Sequence, residues 1–252
     1  MESQYKPQRV RNIFSADDKK PYKLSRSRIE NFIRCKRCFY LDRRCGTGQP
    51  PMFPYTLNNA VDALLKTEFD RYRLESKPHP YLIEHGIDAI PFFHIDLNTW
   101  RMNQRGITYY HEPTNFIVTG AVDDVWINSK GELIIVDYKA TSVKKEVTLD
   151  DRDSYKRQME IYQWLFRKNG FRVSNTGYFV YCNGDSSKDN FAGTLQFKIS
   201  LLSYEGNDEW IENTLSDIKE CLMQDAIPPS TGNCDYCGYW ECVRKHVQSN
   251  VL

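Results

Sequence analysis

Two aspartates and a lysine are the first residues of this chain whose types and spacing suggest chemistry. The runs FIVTGAVDDVWI (116–127) and ELIIVDYKA (132–140) are rich in strand-forming residues, and Ser129, Lys130 and Gly131 lie between them. A three-residue hairpin loop with Gly131 in the left-handed region sets Asn128 opposite Glu132 and Asp123 opposite Asp137. Side chains alternate along a strand, so Asp137 and Lys139 share a face while Tyr138 points away. Like charges facing each other across a strand pair repel, and here the acids continue apolar runs, so a cation is expected between them. Mg²⁺ or Mn²⁺ suits carboxylate and carbonyl oxygens. A two-residue loop at Lys130 and Gly131 would slip the register by one and set Asp124 opposite Asp137 instead. Taken alone, an aspartate followed by Asp-x-Lys is a common pattern that an ordinary surface salt bridge also explains.

The second chemical signal is thiol. Eight cysteines are present, with Cys35, Cys38 and Cys45 early, Cys234, Cys237 and Cys242 late, and Cys182 and Cys221 between them. Cys35-x-x-Cys38 and Cys234-x-x-Cys237 have the paired spacing of a four-thiolate metal site, which would fasten the C-terminal segment to the N-terminal one. The alternative is free thiols packed as small apolar groups, the reading preferred for Cys182 and Cys221. None of the five histidines stands in a motif that would activate a cysteine nucleophile.

These groups need elements to hold them. Residues 1–22 are polar without periodicity and are expected to form an arm or strap, with a single domain over 23–252 that includes the cysteine motif at 234–242. In LSRSRIENFIRCKRCFYL, Ser27 with Glu30 makes a capping box for a short helix ending near the first C-x-x-C. After the Gly and Pro loop at 46–55, Thr56 is expected to cap a helix to about Glu75 whose buried stripe is Leu57, Val61, Leu64, Leu65 and Tyr72. The stretch 78–104 has no steady period and reads as strand and loop. Asp151–Asn169 reads as a helix closed by Gly170, with Tyr155, Met159, Tyr162 and Phe166 on one side. Strands follow at TGYFVYC and GTLQFKISL, then a helix over Asp208–Met223, and Pro228 and Pro229 end the regular structure.

Composition narrows the class. Lys and Arg number 34 against 33 Asp and Glu, a net charge of +1, so no global basic field announces a nucleic acid and any such contact is local. Arg26, Arg28, Arg34, Lys36, Arg37, Arg43 and Arg44 make one such local patch, and the cations at 152, 156 and 157 another. No apolar run approaches the roughly 20 residues that cross a bilayer, and the N-terminus lacks a signal-peptide core, so a cytoplasmic protein with no membrane partner is expected.

One helical face carries Gln158 and Tyr162, four apart and just after the Asp-x-Lys run. With that face the pattern becomes G-A-V-D (120–123), D-Y-K (137–139) and Q-M-E-I-Y (158–162), which resembles the RecB-like branch of the PD-(D/E)XK nuclease superfamily. The likeness spans residues 23–242, and LNNAVDALL (57–65) resembles the family segment that carries a metal-binding histidine, a position occupied here by Asp62. It implies an α/β fold with a restriction-endonuclease-like core, a mixed central sheet flanked by helices, its N- and C-terminal segments joined by the cysteine site. It implies Asp123 and Asp137 as ligands of Mg²⁺ or Mn²⁺, with the Tyr138 carbonyl and Asp62 completing the shell. Lys139 would orient water and stabilise phosphate charge, and Gln158 and Tyr162 would position substrate or the lysine. Related nucleases often hold a [4Fe-4S] cluster on one early and three late cysteines, which here would be Cys35, Cys234, Cys237 and Cys242. A zinc site would use Cys38 and leave Cys242 out, so four of these five are expected as ligands. The implied activity is hydrolysis of DNA, single-stranded or carrying an end, as an exonuclease or endonuclease in repair, recombination or CRISPR adaptation, alongside a helicase or CRISPR-adaptation proteins. The alternative is a DNA-binding or scaffolding module of the same fold with weak or no catalysis.

Overall fold

The structure is a computed structural model that describes residues 8–50 and 55–249. Residues 1–7 of the expected arm and 51–54 of the Gly and Pro loop lie outside the described residues. Along the chain run β1 (Tyr22–Ser25), α1 (Arg26–Arg34), α2 (Lys36–Arg43), α3 (Thr56–Leu74), α4 (Pro80–Glu84), β2 (Ile90–Pro91) and α5 (Leu97–Trp100). Then come β3 (Ile107–His111), β4 (Phe116–Gly120), β5 (Asp124–Ile127), β6 (Leu133–Thr141), α6 (Asp153–Lys168), β7 (Thr176–Gly184), β8 (Phe197–Glu205), α7 (Trp210–Met223) and α8 (Asp235–Ser249). The chain is α/β, and its described residues divide into one compact unit of 8–50, 110–118 and 210–249 and another of 55–109 and 119–209. No helix among the described residues is long and apolar enough to cross a membrane.

In the larger unit a five-stranded sheet runs β2-β5-β6-β7-β8, with β6 and β7 parallel and the other neighbours antiparallel. The turn between β5 and β6 is the three-residue one, with Gly131 at φ +73° and the Asn128 amide donating to the Glu132 carbonyl (3.1 Å). Asp124 accordingly faces Val136 and Ile127 faces Leu133, which is the register that the loop length implies. The expected long first arm of that hairpin is broken, however. Residues 121–123 leave the strand, and β4 joins β1 and β3 in a separate sheet ordered β1-β4-β3. The Val122 amide donates to the Trp100 carbonyl (3.1 Å), a partner that strand periodicity does not reveal.

The helix α3 presses Leu65 and Phe69 into the core with Trp126, Val136, Tyr138 and Val180, and Phe69 stacks on Trp126 at 5.5 Å. Its buried stripe is therefore Val61, Leu65 and Phe69, while Leu57 and Leu64, expected inside, are exposed. Tyr55 precedes the helix as its N-cap and Thr56 is its first residue. Within 78–104 the structure forms α4, β2 and α5 rather than an extended run. The centre of α6, from Gln158 to Phe166, is buried on all sides, wider than the single stripe its spacing suggested.

In the smaller unit Ser25 is the N-cap of α1 and its Oγ meets the Ser27 Oγ (3.0 Å). Ser27 lies inside the helix, so the expected Ser27–Glu30 capping box does not form. Regular structure also continues past Pro228 and Pro229 into α8, which begins at Asp235 and carries Cys237 and Cys242. Two cations of the basic segment, Arg28 and Arg43, converge with Arg9 on the buried Asp42 at 3.0, 2.7 and 3.0 Å. Arg43 is buried, whereas Arg9 and Arg28 keep 39% and 29% of their side chains exposed, and the shared counter-charge of Asp42 ties the three together. Cys182 and Cys221 are buried and Cys45 is exposed.

Candidate active site

The site lies in the larger unit where β6 runs out of the sheet's apolar centre. Four buried residues, Leu133 to Val136, lead into Asp137, whose exposure is only 1%. An ionised carboxylate so deeply placed needs hydrogen bonds and counter-charge. It receives both: Gln158 Nε2 donates to Asp137 Oδ1 at 2.6 Å, and the Lys139 ammonium contacts Oδ2. Gln158 Nε2 also lies 3.1 Å from the Tyr162 hydroxyl, which joins β6 to α6 through a chain of polar contacts. Gly120 permits this approach, because a Cβ there would stand 2.6 Å from Tyr162 Cε1 and 3.0 Å from Leu165 Cδ1.

Asp123 occupies the bend before β5, and its Oδ2 accepts the Tyr138 amide at 2.9 Å. The strand break thus frees Asp123 to turn its carboxylate onto the edge of β6. Burial alone would lower the pKa of Lys139, but the carboxylates of Asp137 and Asp123 outweigh it and raise the value, so the amine stays charged. Its ammonium also sits 4.7 Å from the centre of the Tyr155 ring.

Asp124, the rival to Asp123, points to the opposite side. It is fully buried, with Arg73 and Arg101 on Oδ1 and the Tyr138 hydroxyl donating to Oδ2 at 2.7 Å. Both guanidinium groups also contact Asp70, giving two cations and two acids in one electrically balanced cluster. That cluster braces the Asp123 backbone, whose carbonyl accepts from Arg101 Nε at 3.0 Å.

Asp62 projects from α3 toward Asp123, and a residue that sequence reading missed lies between them. Lys66 Nζ is 2.8 Å from Asp62 Oδ2 and 3.3 Å from Asp123 Oδ1. The visible signal was the spacing of Asp62 and Lys66, one helical turn apart. Desolvation opposes the charge on Lys66, yet Asp123 and Asp62 raise its pKa. Burial raises the pKa of Asp62, with Lys66 pulling the other way.

Asp62, Asp123 and Asp137 are hard oxygen donors, and with Lys66 and Lys139 they leave one net negative charge. That donor set and that deficit fit a divalent cation such as Mg²⁺ or Mn²⁺. Past Lys139 opens a cleft lined by Thr141, Lys144, Lys145, Arg152 and Tyr181, with Glu146 and Asp151 as acids on its wall.

In the smaller unit, Cys35, Cys38, Cys234 and Cys237 bring their sulfur atoms within 4.8 Å of one another. The Cys35–Cys237, Cys38–Cys234 and Cys38–Cys237 separations are 3.7, 3.6 and 3.5 Å. A disulfide needs about 2.05 Å, whereas a tetrahedron with Zn–S bonds of about 2.3 Å has edges near 3.8 Å. Cys242 is exposed and outside this group. Burial raises the pKa of Cys35, but amides of Cys38 and Thr231 and the facing thiols outweigh it and bring it down to about 6. The Cys38 and Cys237 thiols are instead pushed up, chiefly by burial.

Among known proteins, the family model of the PD-(D/E)XK nuclease superfamily matches residues 54–242. No curated protein matches this chain. The crystal structure of SSO0001 is similar, at 16% identity over 88% of this chain and 85% of that one, with a TM-score of 0.40.

Proposed function

The chain belongs to the PD-(D/E)XK nuclease superfamily, and from that premise we propose that it is a deoxyribonuclease of the RecB-like branch, dependent on Mg²⁺ or Mn²⁺. The observation that carries this reading is the cluster of Asp123, Asp137 and Lys139 at the end of β6, steadied by Gln158 and Tyr162. Asp123, Asp137 and the Tyr138 carbonyl would hold the ion, with Asp62 beside them. Bound there, a divalent cation would make its water a nucleophile near neutral pH and offset charge gathering on the phosphoryl oxygens.

The chain's own groups do the rest. Gln158 fixes the Asp137 carboxylate in one rotamer, and Tyr162 fixes Gln158. Asp123 is oriented by the Tyr138 amide, so the two acids are set before substrate arrives. Lys139, held protonated by its acidic neighbours, donates to a phosphate oxygen and orients the attacking water. The cations of the adjoining cleft, Lys144, Lys145 and Arg152, supply the local attraction for a DNA backbone that the overall charge of +1 does not. DNA that is single-stranded or carries an end is the proposed substrate, in repair, recombination or CRISPR adaptation.

The four-cysteine cluster is proposed to hold zinc. Sulfur separations near 3.6 Å suit one ion touching all four thiolates, whereas a cluster of iron and sulfide would set the thiolates further apart. The role is structural, tying α2 to α8.

The test is cleavage of end-labelled single- and double-stranded DNA with Mn²⁺, Mg²⁺ or chelator. Native protein should cleave with either ion, and Lys139→Ala should lower the rate by at least about 10²-fold, the scale of losing one electrostatic stabiliser. Equal cleavage by native protein and Lys139→Ala would overturn the assignment. DNA binding without any cleavage would favour the scaffolding alternative.

A further inference from the structure

Lys66 lies where one-metal and two-metal chemistry would part. Its ammonium bridges Asp62 Oδ2 and Asp123 Oδ1 at 2.8 and 3.3 Å, which are the oxygens that a second divalent ion between α3 and the β5 end would need. The other oxygen of Asp123 accepts the Tyr138 amide and keeps a lone pair for an ion shared with Asp137. Lys66 is one turn below Asp62 on a helix anchored by Leu65 and Phe69, and its side chain is only 21% exposed. We propose that the site binds a single divalent ion, on Asp123 and Asp137, and that the Lys66 ammonium stands permanently in the place of a second.

This rests on the proposed nuclease site and deepens it. Charge supports it independently of the distances. Three carboxylates and two ammonium groups leave one negative charge, which a single divalent ion converts to one positive. The one negative charge of a phosphodiester then closes the balance. A second divalent ion would leave two positive charges uncompensated, crowded against Lys66 and Lys139 where little water screens them. The neighbouring Arg73, Arg101, Asp70 and Asp124 are balanced among themselves and do not alter this count. Lys66 is on this view a positioning residue. It holds Asp123 and Asp62 apart from bulk cations and fixes how many ions the acids accept.

The experiment is a Mn²⁺ titration of the full chain, with its cysteine site as purified, read by electron paramagnetic resonance. The native protein should take one Mn²⁺ with an isolated-ion spectrum, and Asp137→Asn should abolish it. Lys66→Ala should admit a second Mn²⁺ with the broadened signal of a coupled pair, and adding Asp62→Asn should remove that second ion. Lys66→Met, which keeps the length and loses the charge, serves if the alanine variant does not fold. Two ions in the native protein, or still only one in a folded Lys66 variant, would overturn the inference while leaving the nuclease reading intact. Mn²⁺ binding indifferent to Asp137→Asn, or none at all, would bring down the metal-site reading beneath it.

Discussion

Gly120→Ala examines the contact on which the site's alignment depends. A methyl group at this position would meet Tyr162 Cε1 at 2.6 Å, Cδ1 at 2.8 Å and Leu165 Cδ1 at 3.0 Å. Ordinary carbon contacts begin near 3.5 Å, so the Tyr162 ring must retreat by about 1 Å. It cannot do so alone, because α6 is buried on all sides from Gln158 to Phe166. If Gln158 follows Tyr162, its 2.6 Å bond to Asp137 lengthens past the limit of a real hydrogen bond. Overpacking of this kind costs about 1–3 kcal/mol, and each kcal/mol lowers Tm by about 2–4 °C in a chain of this size. The released Asp137 carboxylate should lower DNA cleavage by about 10²-fold, the cost of misplacing a positioned group by about 1 Å. Urea unfolding and a cleavage assay read the two effects separately. A variant within about 0.5 kcal/mol of native stability and fully active would refute the close approach and the reasoning built on it.

The adjacent aspartates should behave oppositely. Asp124→Asn leaves Arg73 and Arg101 buried against a neutral amide and should destabilise by about 3–5 kcal/mol in chemical denaturation, whereas Asp123→Asn, at a side chain 25% exposed, should change stability by about 1 kcal/mol or less while abolishing Mn²⁺ binding; equal costs would contradict the two environments. Cys234→Ser should remove the bound metal ion, measured by elemental analysis of the purified protein, and Cys242→Ser should not. Zinc uptake by the stripped chain at pH 7 should release more than one proton per ion, since Cys38 and Cys237 enter protonated while Cys35, with a pKa of about 6, is already mostly thiolate; calorimetry in buffers of different ionisation enthalpy measures the number, and affinity should fall as pH drops through 6.

Local rules carried much of this fold. The loop Ser129–Gly131 implied its own register, and the structure has it, because a turn's length and a glycine's left-handed backbone are set by neighbouring residues alone. The helix α6 and its glycine stop were legible for the same reason. The C-x-x-C pairs, 196 residues or more apart, identified themselves by spacing, though which fifth cysteine stood outside did not. Other features have distant causes. FIVTGAVDDVWI looks like one strand, yet it serves two sheets because Trp100 takes the Val122 amide. Leu57 and Leu64 fit a helical stripe as well as Phe69 does, and only the position of the sheet decided which side of α3 was inward. Asp123 and Asp124 are identical in type and adjacent, and no sequence period says which meets two buried arginines and which meets a lysine.

Residue types and short spacings thus specified which groups can bind metal, hold a phosphate or close a turn, since those capacities are properties of the side chain and the local backbone. Which acid is spent on structure, which amine stands beside it and how much water reaches them were decided by tertiary packing. The cations that meet the carboxylates of Asp123 and Asp124 come from 23 to 57 positions away in the chain, and burial and counter-charge set the free energy of each charge more strongly than its identity does.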